Sequence, residues 1–191
     1  MLLPFMIPDV LEAGCDEAGR GCLCGPVACA AVILPPGFRC DELNDSKQLS
    51  ERQREALRPI IEKNALAWAV AMIDPETIDK INILNASIMG MHKALEQLQV
   101  SPGHILVDGN RFKPFRNIPH TTVVKGDAKY MSIAAASILA KTHRDSLLEA
   151  LDARYPEYGW RQNKGYPTKS HKEAIIKFGL TPLHRRTFKY S

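Results

Sequence analysis

The chain has 191 residues, 45% of them hydrophobic and 24% charged, with a formal net charge of +4 at pH 7. That length supports one substantial core and is too short for two full domains, so one domain with an appendage is expected. The composition is that of a soluble globular protein, and no apolar run approaches the ~20 residues of a membrane-spanning helix.

The charge is unevenly placed. From Tyr155 to Ser191 there are eight Lys or Arg against two acids, a balance of +6, which leaves −2 on everything before it. A basic segment on a mildly acidic body suits a protein that meets a polyanion with one part and cations with the other. All five cysteines (Cys15, Cys22, Cys24, Cys29, Cys40) fall in the first part of the chain. Their odd number and the lack of an export signal predict reduced thiols. They show no Cys-x-x-Cys spacing and no neighbouring histidine, so they read as small buried residues of strands rather than as zinc ligands. Glu12-Ala13-Gly14-Cys15 is a faint match to a lipoprotein cleavage site, but it lacks a basic leader and follows Pro4, Pro8 and Asp9. A cytoplasmic location is expected.

In chain order, Val10 to Cys15 reads as a short strand that enters Asp16-Glu17-Ala18-Gly19-Arg20-Gly21. Adjacent side chains on a regular strand point to opposite faces, so Asp16 and Glu17 can share a site only where the strand ends or bulges. Val27 to Leu34 is a buried strand stopped by Pro35-Pro36-Gly37. After the polar loop Leu43-Asn44-Asp45-Ser46-Lys47, Ser50 and Gln53 form a capping box that opens a helix. Pro59 predicts a kink or early stop in it. Ala65 to Ile73 is a third strand. Asp74-Pro75 starts a helix, and Asn82 caps a longer one to about Val100 whose apolar positions share one face. Ile105 to Val107 is a strand that delivers Asp108 at its carboxyl end, and Thr121 to Lys125 is a fifth that delivers Gly126-Asp127. Asp127 is placed to cap an Ala-rich helix from Ala128 to about Arg154. A last helix is capped by Thr168 and ends at Gly179. Its His171 reads as a packing or surface residue before it reads as a ligand, and His184, Arg185 and Arg186 are placed to bind backbone phosphate.

Strands ending in Asp16 and Glu17, in Asp108 and in Asp127 would converge four carboxylates on one sheet edge. Like charges so crowded are costly unless divalent cations neutralise them. An all-oxygen donor set specifies hard cations, Mg²⁺ or Mn²⁺, and two such ions suit phosphodiester cleavage. A nucleotide-binding glycine loop is the rival, but Gly19-x-Gly21 lacks a glycine at position 24 and no Gly-Lys-Ser/Thr follows.

Asp16-Glu17-Ala18-Gly19-Arg20-Gly21, Leu43-Asn44-Asp45-Ser46-Lys47, Val107-Asp108-Gly109-Asn110, Val124-Lys125-Gly126-Asp127, Ala134 to Lys141 and Lys164-Gly165-Tyr166-Pro167-Thr168 together resemble bacterial ribonuclease HII, in order and over about the whole chain. The resemblance implies an α/β, RNase H-like fold over residues 1–191: a mixed five-stranded sheet flanked by helices in a catalytic core of about 1–155, and a small basic helical lobe over about 156–191. It implies that Asp16, Glu17, Asp108 and Asp127 are the catalytic, metal-binding acids. Gly19-Arg20-Gly21 match a backbone loop that senses a ribose 2′-hydroxyl, and Tyr166 matches a tyrosine that packs on the following sugar. Asn44, Ser46 and Lys47 fall in a loop near substrate phosphates. Cys22, where a proline is common, and Cys24 depart from the pattern.

The implied protein is a monomeric endoribonuclease using Mn²⁺ or Mg²⁺. It hydrolyses the RNA strand of RNA–DNA hybrids and cuts on the 5′ side of ribonucleotides embedded in duplex DNA, leaving 3′-hydroxyl and 5′-phosphate ends. Such an enzyme serves ribonucleotide removal, DNA repair and RNA primer removal. A non-catalytic nucleic-acid-binding module would need the basic segment but not the four acids. A histidine-based ribonuclease would use the 2′-hydroxyl as nucleophile, and no pair among the six histidines stands out for that.

Overall fold

The computed structural model describes residues 2–190. Its centre is a five-stranded sheet formed by β1 (Glu12–Ala18), β2 (Val27–Ile33), β3 (Ala67–Ile73), β4 (His104–Asp108) and β5 (His120–Val123), in the spatial order β3-β2-β1-β4-β5. β1 runs antiparallel to β2 and parallel to β4, and β5 extends the parallel half, so the sheet is mixed as expected.

Helices α1 (Glu51–Asn64), α2 (Pro75–Glu96) and α3 (Met131–Asp152) cover the two faces. Alternate residues of β1 and β2 divide between them. Ala13, Cys15, Val27, Cys29, Ala31 and Ile33 pack with Ile78, Met91 and Leu95 of α2. Ala28, Ala30 and Val32 pack with Leu57 and Ile61 of α1 and Ala134 to Ala140 of α3. With both faces covered, β2 has no solvent side, which is why Val27 to Ile33 is apolar throughout. The small residues of β1, β2 and α3 bring helix and sheet close.

Several boundaries differ from the sequence expectation. β1 continues through both acids to Ala18 without a bulge. Pro59 lies inside α1 without ending it; it is solvent-exposed, as is Glu55, the residue whose carbonyl a proline at this position cannot bond. The Ser50–Gln53 capping box forms as expected. Asp74 caps the start of α2, and Asn82, at φ 65°, ψ 164°, breaks the helix and recaps it through Oδ1 accepting from Asn85 N. Asp127 does not cap α3. It sits in a short 3₁₀ turn (Gly126–Ala128), and α3 starts at Met131 with no side-chain cap.

After α3 come α4 (Trp160–Asn163) and α5 (Lys169–Phe178), with α5 capped by Thr168 and ended by Gly179 as expected. Trp160, Tyr158, Leu148 and Leu23 form a separate apolar cluster here. The chain then returns beneath the loop after β1: Leu23 N donates to Gly165 O, Gly25 N to Leu183 O and Arg185 N to Leu23 O. The four cysteines Cys15, Cys22, Cys24 and Cys29 are buried, Cys40 is half-buried, and all five are free thiols. Only Cys15 and Cys29 of these lie on β1 and β2; Cys22 and Cys24 belong to the loop between them.

Gly14 fixes how closely α3 lies on β1. A Cβ there would stand 2.1 Å from the Ser132 carbonyl carbon and 2.4 Å from Ile133 N, both backbone atoms that a side-chain rotation cannot clear. Gly14→Ala should therefore lower stability by ~1–3 kcal/mol or more, seen as a lower urea midpoint at an unchanged m-value.

Candidate active site

The acids gather where the parallel half of the sheet stops. The β1–β4 ladder has its last rung at Cys15–Val107, and β4 ends one residue later at Asp108. Asp16 points to the α3 side and is buried, accepting from its neighbour Glu17 N at 2.7 Å and from the Ser137 hydroxyl of α3. Glu17 follows on the opposite side of β1, half-buried, and pairs with Arg20 at 3.1 Å. Asp108 accepts from Gly126 N at 2.7 Å, which ties it to the turn carrying Asp127. Asp127 is buried and accepts from Lys47 Nζ at 3.1 Å. The site thus wraps around the end of the sheet. A bulge is not needed to bring Glu17 to it, because β4 no longer flanks β1 at that level.

The electrostatics follow from this crowding. Burial, then the charges of Glu17 and Asp108, push the Asp16 carboxyl well above the usual carboxylate range, against the hydrogen bonds from Ser137 and Glu17 N. Burial also raises Glu17, opposed by Arg20, and the fields of Asp108 and Lys47 reach it. Burial raises Asp127, opposed by its bond to Lys47 and supported by Asp108. Lys47 and Arg20 are thus drawn in as counter-cations. An oxygen-only donor set that is short of positive charge and recruits two basic side chains fits hard divalent cations, and Asp16, Glu17, Asp108 and Asp127 would hold them.

The remaining sequence-predicted residues divide. Gly19-Arg20-Gly21 follow β1 directly, with Arg20 and Gly21 exposed beside the acids and Gly19 at φ +90° in the left-handed region. Tyr166 is 38% exposed, with Lys141 Nζ 5.2 Å from its ring centre. Asn44 is exposed and folded on its own loop through Asp45 N and Gln48. Ser46 is buried, its hydroxyl 2.8 Å from that of Ser137. It therefore stands behind Asp16, as the far end of a Ser46–Ser137–Asp16 relay, rather than in front of it.

His184 and Arg185 are buried too, so of the three tail residues expected on phosphate only Arg186 is exposed. His171 is fully buried, a packing residue. Sequence reasoning did not assign Ser137, Arg144 or Arg185 a supporting place in this region: Ser137 falls within the Ala134 to Lys141 motif, Arg185 was expected on phosphate, and Arg144 passes for one of several charged residues in the second half of α3.

Cys24, His171 and His184 also come together, with ligand atoms within 4.8 Å of one another. Their hydrogen bonds assign them to packing instead. Thr181 N donates to His184 Nδ1, which leaves the proton on Nε2, and that Nε2–H faces His171 Nε2 at 3.3 Å. His171 Nε2 also receives Trp160 Nε1–H at 3.1 Å, while its Nδ1–H donates to Tyr166 O. A metal on His184 Nε2 would force a proton onto Nδ1, against the Thr181 N–H. Burial, then His171, pushes His184 down to about 4, and burial lowers His171, consistent with a neutral pair.

The family model for ribonuclease HII matches residues 13–191. The chain is 64% identical to ribonuclease HII of Parabacteroides distasonis over 98% of this chain and 94% of that one. It is 56% identical to ribonuclease HII of Porphyromonas gingivalis over 99% and 94%. Among solved structures, ribonuclease H2 of Pyrococcus horikoshii superposes with a TM-score of 0.79 at 29% identity, covering 94% of both chains. Ribonuclease HII of Archaeoglobus fulgidus, solved with PCNA, gives 0.79 at 28%, covering 94% and 95%. The chain belongs to the ribonuclease HII family and is an endoribonuclease of the ribonuclease H kind.

Proposed function

We propose that the protein hydrolyses the RNA strand of RNA–DNA hybrids and cuts on the 5′ side of single ribonucleotides in duplex DNA, leaving a 3′-hydroxyl and a 5′-phosphate. The observation that carries this reading is the meeting, at one sheet end, of four carboxylates with the Gly19–Gly21 backbone. Mg²⁺ or Mn²⁺ held by the acids, two ions in this reading, supplies the Lewis acidity that phosphodiester hydrolysis by water requires.

The chain's own residues do the rest. Asp16 and Asp108 are fixed by Ser137, Glu17 N and Gly126 N, so the charge cluster is set before substrate arrives. Gly19-Arg20-Gly21 read the 2′-hydroxyl by close backbone approach, and Tyr166 sets the following sugar, with Lys141 beside its ring. A site built to hydrogen-bond a hydroxyl rejects the deoxy analogue by ~10⁴ or more, because its own polar groups are left unpaired. Lys47 and the exposed Asn44 face the phosphates. Exposed Lys169, Lys177, Arg186 and Lys189 add a salt-sensitive attraction for the duplex. The lobe over about 156–191 acts as part of one domain with the core, and the protein works as a monomer in the cytoplasm.

Asp16→Asn and Asp108→Asn should each abolish cleavage while leaving duplex binding in place, and Asp16→Asn should hold or raise the thermal stability of the metal-free protein by relieving repulsion. Wild-type rates in either variant refute the assignment. End-group analysis of a duplex with one ribonucleotide tests the scissile bond: a 2′,3′-cyclic phosphate, or a cut on the ribonucleotide's 3′ side, would sink this mechanism. Tyr166→Ala should slow that cut by ~10²-fold with little loss of cation binding.

The raised carboxyls also fix a sign for pH. Between the ordinary acid values and the raised ones, the folded metal-free protein holds more protons than the unfolded chain. Its stability therefore falls as pH rises through that window and stays lower above it. Cations displace those protons, so Mg²⁺ should bind more tightly, and raise Tm by more, at pH 8 than at pH 5.5; scanning calorimetry with and without Mg²⁺ checks it.

A further inference from the structure

Arg185 and Arg144 are both fully buried, and among the described residues neither has a carboxylate partner. Buried charges without a counter-ion are expensive, so the hydrogen bonds they make must carry them. Every bond they make is to a backbone carbonyl. Arg185 donates from Nη2 to Gly19 O at 2.7 Å, from Nη1 to Arg20 O at 2.8 Å and from Nε to Gly25 O at 3.1 Å. Arg144 donates to Pro26 O at 2.9 Å, Lys164 O at 2.8 Å and Cys24 O at 3.0 Å. Gly19 rests on Arg144, where a Cβ would fall 2.1 Å from Nε.

The peptide geometry gives these bonds a consequence at the surface. The described chain has no cis peptide bonds. In a trans peptide the C=O of one residue and the N–H of the next point in opposite directions. With Gly19 O and Arg20 O drawn inward onto one guanidinium, the N–H groups of Arg20 and Gly21 are turned outward, and both residues are exposed beside the acids. Among the described residues those two N–H groups have no protein acceptor.

We propose that Arg185, seated beside Arg144, is a positioning residue for substrate discrimination: it holds the Gly19 and Arg20 carbonyls inward and so presents the Arg20 and Gly21 N–H groups as a preformed donor pair for the ribose 2′-hydroxyl. The proposal deepens the functional reading above and rests on it. The planar fork is needed because two carbonyls must be held at once; a lysine ammonium in the same place keeps the charge but loses the two-pronged geometry. Nearby Cys22 and Cys24 stay neutral thiols, since burial raises both and pushes Cys24 up to about 12, so neither supplies the missing counter-charge.

The test uses the full-length protein as Arg185→Ala and Arg185→Lys, with duplexes carrying one ribonucleotide and their all-deoxy counterparts. Each variant should lose ~10²-fold in kcat on the ribonucleotide duplex, with Mg²⁺ affinity by calorimetry and KM for the duplex within about threefold of wild type. Amide exchange should speed up at Cys22, whose N–H donates to the clamped Gly19 O at 3.3 Å, and not in β1 or β4, and millimolar guanidinium should restore part of the Arg185→Ala rate. If Arg185→Ala does not fold, Arg185→Lys, which retains the buried charge, gives the same readouts. Wild-type kcat and wild-type exchange at Cys22 in a folded variant overturn the proposal. A wild-type enzyme that cuts all-deoxy duplex as fast as the ribonucleotide duplex instead overturns the reading of the loop, and the exchange measurement still decides the clamp.

Discussion

Four carboxylates at one sheet end repel one another, and the surrounding structure reads as a set of answers to that repulsion. The sheet has to stop in register, with β4 ending at Asp108 just past its last rung with β1, so that the acids share a gap rather than a face. Backbone N–H groups of Glu17 and Gly126 and the Ser137 hydroxyl stabilise individual oxygens. Arg20 and Lys47 reach in from opposite loops to balance what remains. The metal-free protein thus holds a destabilised arrangement in readiness, and the stability of the rest of the sheet, packed on both sides, sustains it.

The close fit of α3 to β1 has a part in this. Small residues on both, and the absence of a side chain at Gly14, let the helix lie against the strand, which sets Ser137 within reach of Asp16. Packing and chemistry are therefore one problem in this region. The apolar layer that binds α3 to the sheet also carries, one turn further along, the hydroxyl that orients the first acid.

Much of this was readable from residue order. The two-sided burial of Val27 to Ile33, the capping box at Ser50, the break at Asn82 and the acids at the ends of β4 and of the turn after β5 all follow from local rules. What was not legible depended on distance in sequence. Pro59 was expected to kink its helix or stop it early, but it lies on the solvent side, as does Glu55, whose carbonyl it frees, and the helix runs on. Asp127 looks like a helix cap until Lys47, 80 residues away, claims its carboxylate. Ser46 looks like a phosphate ligand until Ser137, 91 residues away, buries it. Arg185 and Arg186 are adjacent and identical in sequence, and only the return of the chain under the loop makes one a buried strut and the other a surface charge.

That return of the chain bears on how the enzyme comes into being on the ribosome. All four acids lie by residue 127, whereas the carbonyls of Gly19 and Arg20 are held by a side chain 166 and 165 residues further along than they are. A nascent chain that has emerged as far as α4 already contains every residue of the charge cluster and Arg144 beneath the loop, yet not the side chain that holds the Gly19 and Arg20 carbonyls. Contacts of such long sequence separation form late. On the proposed roles of the acids and of Arg185, hydrolytic potential and selectivity are acquired in that order, and chains cut short before Arg185 would carry the acids without the clamp on the loop.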